Sequence, residues 1–159
     1  MKATVEEYLD LNVVHISKKE RVSLSYNEAI ESELVQVARN GYPYEIAGFL
    51  LGKKSDNSEF VSELYPVDNV AKEQERKFEI HGLDYLKAEA YALENKLDVI
   101  GIYHSHPDYP AIPSKHDLEF AQSVFAYAIV SVDGNGDTLI NSWKKLNKKF
   151  IQQSITIRS

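Results

Sequence analysis

His104-Ser105-His106, followed after ten residues by Asp117, places three side chains able to ligate a first-row metal within fourteen residues. Two neutral imidazoles and one carboxylate suit zinc, and three protein ligands leave the fourth tetrahedral position open to water. That is the arrangement of a catalytic site rather than of a closed structural one. The chemistry it points to is metal-assisted hydrolysis. A His-x-His pair alone fits a structural or surface pair equally well, and the conjunction with Asp117 is what carries the reading.

The elements around these residues can position them. Residues 97 to 104 are rich in β-branched and aromatic types and follow the polar Glu94-Asn95-Lys96, so they read as a buried strand with the histidines at its C-terminal end. Successive strand side chains alternate between faces, so His104 and His106 share a face and Ser105 points away from the metal. Pro107, Pro110 and Pro113 exclude a regular helix or central strand across 107 to 113 and leave an extended loop. A helix can begin at Ser114, with Leu118, Ala121 and Phe125 at helical spacing, which puts Asp117 in its first turn. Ser114-Lys115-His116-Asp117 also fits a capping box and nothing more. The two readings are compatible, because a cap that fixes the helix start also fixes where Asp117 points.

The pattern His104-Ser105-His106, seven residues, Ser114, two residues, Asp117 resembles the signature of the JAMM (MPN-plus) zinc metallopeptidases, as in their small prokaryote-like members. That family also carries a glutamate far upstream, three residues before a glycine in a short apolar strand. Here Tyr42-Pro43-Tyr44-Glu45-Ile46-Ala47-Gly48-Phe49-Leu50-Leu51-Gly52 supplies Glu45. Similarity continues through Pro66-Val67-Asp68-Asn69, Phe78-Glu79-Ile80, Ala128-Ile129-Val130-Ser131-Val132 and Trp143, and spans about residues 22 to 145. Ala47 departs from the cysteine often found there, at a position that is not a metal ligand.

The resemblance implies a role for each residue. His104, His106 and Asp117 would hold one Zn2+ per chain, leaving His15, His81 and His116 dispensable. Glu45 would act as the base that takes a proton from water attacking a carbonyl and passes it to the departing amine. Without the resemblance, a glutamate ahead of an apolar run is more simply a solvated loop or edge residue. Ser114 would donate a hydrogen bond to the carbonyl oxygen as charge develops. The implied fold is α/β: a single JAMM/MPN domain of deaminase-like three-layer α/β/α architecture with a mixed central sheet.

Composition agrees with this and removes competitors. The chain has 159 residues, 43% of them hydrophobic, enough for one domain with a real core. No cysteine is present, which excludes disulfides, thiol catalysis, thiolate-ligated metal and the Pro-Cys-x-x-Cys half of the zinc nucleobase deaminases. A net charge of −6 without a dense basic block argues against a nucleic-acid partner. Lys144, Lys145, Lys148 and Lys149 read as a solvated face on an edge strand. No long apolar run or leader pattern marks the chain for a membrane or for secretion, so the expected location is cytoplasmic.

Residues 1 to 21 form an N-terminal segment of uncertain role, and 22 to 159 the expected domain. Strands are expected at 22 to 25, 46 to 52, 59 to 67, 125 to 132, 138 to 143 and 150 to 157. A helix over 28 to 39, capped by Asn27, carries Ile30, Leu34 and Val37. A charged loop covers 68 to 77. A second helix, from Leu83 to about Asn95, carries Leu86, Ala90 and Leu93 as its apolar positions.

These readings converge on a zinc-dependent peptidase or isopeptidase acting on the amide bond after the C-terminal tail of a ubiquitin-like or sulfur-carrier protein. The substrate, a partner with a Gly-Gly-type tail bound extended against a sheet edge, is implied by the resemblance. Two alternatives are a non-catalytic MPN-type scaffold, against which the full ligand set argues, and a RadC-like protein. The latter shares the ligand spacing but usually reads His-Asn-His-Pro-Ser-Gly where this chain has His104-Ser105-His106-Pro107-Asp108-Tyr109.

Overall fold

The computed structural model describes residues 22–72, 74 and 78–159. The segment 1–21 and part of the loop expected over 68–77 lie outside the described residues. In chain order the elements are β1 (Ser23–Asn27), α1 (Glu28–Gly41), β2 (Ala47–Lys54), β3 (Ser58–Val67) and α2 (Gly82–Glu94). They continue with β4 (Asp98–Pro107), α3 (Lys115–Phe120), β5 (Ala126–Val132), β6 (Thr138–Leu146), β7 (Lys149–Gln153) and β8 (Ile155–Arg158).

All eight strands form one mixed sheet in the order β7-β6-β5-β4-β2-β3-β1-β8. The histidine strand β4 is internal, antiparallel to β2 and parallel to β5. Alternation along β2 sorts the core into two faces. Leu50 packs with Ile30, Leu34 and Ala38 of α1, while Phe49 and Leu51 pack with Ala88 and Ala92 of α2. A helix therefore covers each face, which gives the expected three layers. Asn27 caps α1 as its type predicts, its side-chain oxygen accepting the Ile30 N–H at 3.0 Å.

Gly48 shows how closely the layers fit beside the site. It pairs with Tyr103, and a Cβ added there would collide with the Tyr103 ring, so no larger residue fits without moving the neighbour of His104. No helix among the described residues is long and apolar enough to cross a membrane.

Four expectations need correction. The apolar positions assigned to α2 are its outer face: Leu83, Leu86 and Leu93 are 57%, 59% and 80% exposed, and the packing face is Ala88 and Ala92 with Tyr85 and Tyr91 beside them. Small residues let the helix approach the sheet closely, so the side chains that bury the contact are not the most hydrophobic ones.

The strand expected over 150–157 is two strands, β7 and β8, on opposite edges of the sheet. They join through Ser154, whose carbonyl accepts the Leu24 N–H at 2.9 Å, so the sheet curls until its two edges meet.

That curl also explains the lysines. Lys144 Nζ donates to the buried Glu59 carboxylate at 3.1 Å, and Lys145 Nζ donates to the Ala121 carbonyl at 3.1 Å, at the end of α3. Of these four lysines, Lys148 and Lys149 are the exposed ones. Finally, α3 stops after six residues. Ala121 and Phe125 are buried, but in the turn that follows, where the Gln122 N–H donates to the Tyr127 hydroxyl at 2.6 Å. Side chains satisfy the groups that a longer helix would have satisfied itself.

The corrected face of α2 makes a measurable prediction. Leu86→Ala should change urea-unfolding stability by less than about 0.5 kcal/mol, as surface substitutions do. Ala88→Leu should cost about 1 to 3 kcal/mol by overpacking against Phe49 and Leu51. The reverse order would mean that α2 docks on its leucine side.

Candidate metal centre

The β2–β4 register assembles the site. Ala47 lies opposite His104, and one step further the Ser105 N–H donates to the Ile46 carbonyl at 3.0 Å while the Ile46 N–H donates to Ser105 Oγ at 2.9 Å. Ser105 thus points away from the histidines, as alternation predicts, and its hydroxyl ties the end of β4 to the residue after Glu45. The pairing brings Glu45 beside His106 although they stand 61 positions apart in the chain.

His104, His106 and Glu45 are at most 3% exposed, and Asp117 is 8% exposed. The Nε2 atoms of His104 and His106 stand 3.2 Å apart, and Asp117 Oδ2 lies 3.4 Å from the first and 3.2 Å from the second. Donors about 2.0 to 2.1 Å from a tetrahedral zinc stand roughly 3.3 to 3.4 Å from one another. The three atoms therefore form a triangle of the size that such an ion needs. Glu45, His104 and His106 also offer ligand atoms within 4.8 Å of one another, so Glu45 is a fourth candidate. Its Oε1 is 3.9 Å from His106 Nε2, longer than any edge of the triangle, which favours a place beside the ion rather than in its first ring of ligands.

Both imidazoles turn Nε2 toward Asp117 Oδ2. His106 Nδ1 lies 2.7 Å from the Pro110 carbonyl, which can only accept, so Nδ1 donates there and the ring is held with Nε2 toward Asp117 Oδ2. Burial lowers the His104 pKa, favouring the neutral ring, despite the opposing pull of Asp117. Burial would raise the Asp117 carboxyl, but the histidines and their hydrogen bonds outweigh it and hold this group well below the usual carboxylate range. The donor set is thus buried and carries the Asp117 carboxylate, and a cation would compensate that charge.

The loop that supplies Pro110 is fixed at both ends. Asp108, in left-handed backbone at φ 64°, turns the chain out of β4, and its carboxylate accepts the Tyr42 hydroxyl at 2.7 Å. The Ala111 carbonyl accepts the Trp143 indole N–H at 3.1 Å. At the helix start both halves of a capping box form: Ser114 Oγ accepts the Asp117 N–H at 3.1 Å, and the Ser114 N–H donates to Asp117 Oδ2 at 2.8 Å. The same oxygen that completes the triangle is held by the cap.

A cavity of about 350 Å³ opens beside the triangle, with His104 and Asp117 in its wall and Phe78, Ile80, Ile102 and Phe120 making it largely apolar. The Phe78 ring stacks on His104 with centroids 4.2 Å apart. His116 lines the same cavity, and its ring contacts that of Phe120.

The family description "prokaryotic homologs of the JAB domain" matches residues 27–145. The chain belongs to this family. Among curated relatives of this JAB-family chain, a desampylase of Haloferax volcanii is 31% identical over 117 residues, 72% of this chain and 83% of that protein. A protein of Thermus thermophilus named "probable TtuB-protein conjugate cleaving protease" is 34% identical over 93 residues, 58% of this chain and 59% of that one.

The fold is shared with a Salinibacter ruber protein solved in solution, with TM-score 0.67 and 35% identity over 85% of this chain and 92% of that one. A Desulfitobacterium hafniense protein superposes with TM-score 0.77 at 24% identity, over 86% and 93% of the two chains. The expected JAMM membership and α/β fold are borne out.

Sequence reasoning brought together Glu45, His104, His106, Ser114 and Asp117, and the structure clusters all five. It missed the groups that hold them: Ser105, Tyr42, Asp108, the Pro110 carbonyl and Asn69, whose amide donates to the Glu45 carbonyl at 2.9 Å. Asn69 and Trp143 lay within segments of family similarity, which was the available signal.

Burial, with the Asp117 charge second, pushes the Glu45 carboxyl up to about 9. In metal-free protein this raised value means that Glu45 is favourable to folding while neutral. Its contribution is complete below the ordinary glutamate range and is lost as pH rises toward about 9. Glu45→Gln mimics the neutral form. After chelation, Glu45→Gln should melt above the parent at pH 8, with the difference shrinking toward pH 5. A difference that does not depend on pH would mean that the carboxyl is not raised.

Proposed function

We propose that this protein is a zinc-dependent peptidase or isopeptidase, carried by residues 22–159 as one unit. It hydrolyses the amide bond after the C-terminal tail of a ubiquitin-like or sulfur-carrier protein in the cytoplasm. The observation that carries the reading is the buried triangle of His104, His106 and Asp117 with the Glu45 carboxylate beside it. The substrate class rests on the names of two relatives, a desampylase and a protein named for cleaving TtuB-protein conjugates.

His104, His106 and Asp117 would hold the ion. When bound, zinc supplies Lewis acidity, polarising the scissile carbonyl and making water nucleophilic at neutral pH. Glu45 accepts the proton of the attacking water on a carboxylate oxygen as the new carbon–oxygen bond forms. It then delivers that proton to the nitrogen as the carbon–nitrogen bond breaks. A nearby cation favours the ionised carboxylate and so opposes the upward shift that burial imposes on Glu45. Ser114 accepts the Asp117 N–H through Oγ, and its own hydroxyl proton is available for the substrate carbonyl oxygen. The apolar cavity beside His104 gives the substrate a wall from which water is excluded.

Elemental analysis of purified protein should find about one zinc per chain, as a three-ligand open site implies. His106→Ala and Asp117→Ala should lose the metal, whereas His116→Ala and Glu45→Gln should keep it. Glu45→Gln should nonetheless fail to cleave ubiquitin-like Gly-Gly fusions. Full zinc retention in both ligand variants would sink the ligand set, and parental turnover in Glu45→Gln would remove that residue from the mechanism.

Ser114 separates capping from catalysis. Ser114→Ala should lose about 0.5 to 2 kcal/mol of stability with the cap, and turnover should fall roughly 10²- to 10³-fold with the donor. Ser114→Asp preserves capping but places a negative charge beside the developing oxyanion. It should regain melting temperature and remain nearly inactive. Parental turnover in Ser114→Asp with zinc bound would leave Ser114 as a cap alone.

A further inference from the structure

The catalytic glutamate lies just before β2, in a backbone stretch that the β2–β4 ladder reaches only through Ile46. Two contacts hold Glu45 itself. Its N–H donates to the Gln74 carbonyl at 2.6 Å, and its carbonyl accepts the Asn69 side-chain amide at 2.9 Å. The other end of the same amide has a second task. Asn69 Oδ1 accepts the Ala71 N–H and the Glu79 N–H, each at 3.0 Å. The Asn69 carbonyl accepts the Gln74 amide at 2.8 Å, which fixes the residue that grips Glu45 from its other side.

Glu79 and its neighbour Phe78 line the cavity, and Phe78 stacks on His104. One planar amide therefore joins the glutamate's backbone to the wall of the cavity. Its donor faces the first and its acceptor the second. Both partners are backbone groups with little freedom to follow a displaced side chain, so the amide sets the spacing between the glutamate and the wall.

We propose that Asn69 is a positioning residue that holds Glu45 against the metal triangle with its amide N–H and holds the Phe78–Glu79 cavity wall with its amide oxygen. The proposal rests on the hydrolytic reading above. It predicts that the two ends of the amide can be separated by substitution. Asn69→Asp keeps the acceptor for the cavity wall and loses the donor to Glu45, whereas Asn69→Ala loses both. Neither variant touches His104, His106 or Asp117, so zinc content should stay at the parental level.

Removing a group that orients reactive residues costs roughly 10- to 100-fold. With a ubiquitin-like Gly-Gly fusion as substrate, kcat should fall by about that factor in both variants, while KM should rise only in Asn69→Ala. Amide hydrogen exchange on the zinc-free protein supplies a readout that needs no substrate. The Glu45 N–H should exchange faster in both variants, and the Ala71 and Glu79 N–H groups faster only in Asn69→Ala.

A purely structural asparagine would lower the melting temperature and quicken exchange evenly, leaving kcat and KM unchanged well below the melt. That result, or parental kcat in Asn69→Asp, would overturn the assignment. A parent protein that cleaves no conjugate would defeat the enzymatic reading. The exchange pattern would then decide alone whether Asn69 holds these two segments separately, and unchanged exchange at Glu45 would overturn it.

Discussion

Antiparallel pairing of β2 with β4, in the register that sets Ala47 against His104, is the constraint on which the rest of this site depends. Side chains in a strand alternate with period two, so a slip of one residue would send both histidines to the α1 face and bring Ser105 to the metal side. Several features resist that slip. Gly48 admits Tyr103 only because it lacks a Cβ, Ala47 is small where it faces His104, and the Ser105 hydroxyl bonds the Ile46 N–H in this register alone. Residues with no chemistry of their own thus decide where the chemical residues stand.

Clustering two imidazoles and two carboxylates in the interior is unfavourable unless their charges and hydrogen bonds are satisfied. The structure meets part of that requirement from the backbone. The Pro110 carbonyl takes one imidazole N–H, and the Ser114 N–H takes one lone pair of Asp117. What remains is two imidazole nitrogens facing each other at 3.2 Å beside the Asp117 carboxylate, and Glu45 Oε2 and His104 Nδ1 have no hydrogen-bond partner among the described residues. A fully satisfied polar core would have no affinity left for a cation. The incomplete satisfaction is concentrated around one point, as a binding site requires.

The cluster of His104, His106 and Asp117 was legible because its determinants are local. Fourteen residues contain a strand end, a proline-rich loop and a capped helix start, and each has a short-range physical signature. Glu45 was legible only by resemblance, since no periodicity links it to a strand more than fifty residues away. The failures have the same origin. On α2 the leucines follow helical spacing as well as the alanines do, and only the sheet's demand for close approach decides which stripe packs. Between 150 and 157 the chain keeps its strand character while changing sheet edges at Ser154, a step dictated by the curl and invisible to propensity. Lys144 and Lys145 looked solvated because their partners, Glu59 and the end of α3, are distant in sequence.

Helix α3 shows how far folding and ligation share their interactions. Six residues are too few for a helix to be stable by itself, since nucleation is costly and little propagation follows. Its start is secured by the capping box between Ser114 and Asp117, and its end by Lys145 and by the Tyr127 hydroxyl that receives the Gln122 N–H. Asp117 Oδ2 serves the cap and the triangle together, so a cation drawing on that oxygen also fixes the first turn, and the cap in turn holds the oxygen in place before a cation arrives. Cation binding by Asp117 would then be linked to folding in free energy, as ligand binding is wherever a donor group is also a structural one. The marginal length of α3 then has a physical consequence. Its six residues also place His116 and Phe120 in the wall of the adjacent cavity, so a cation held by Asp117 would bear on that wall through one short element.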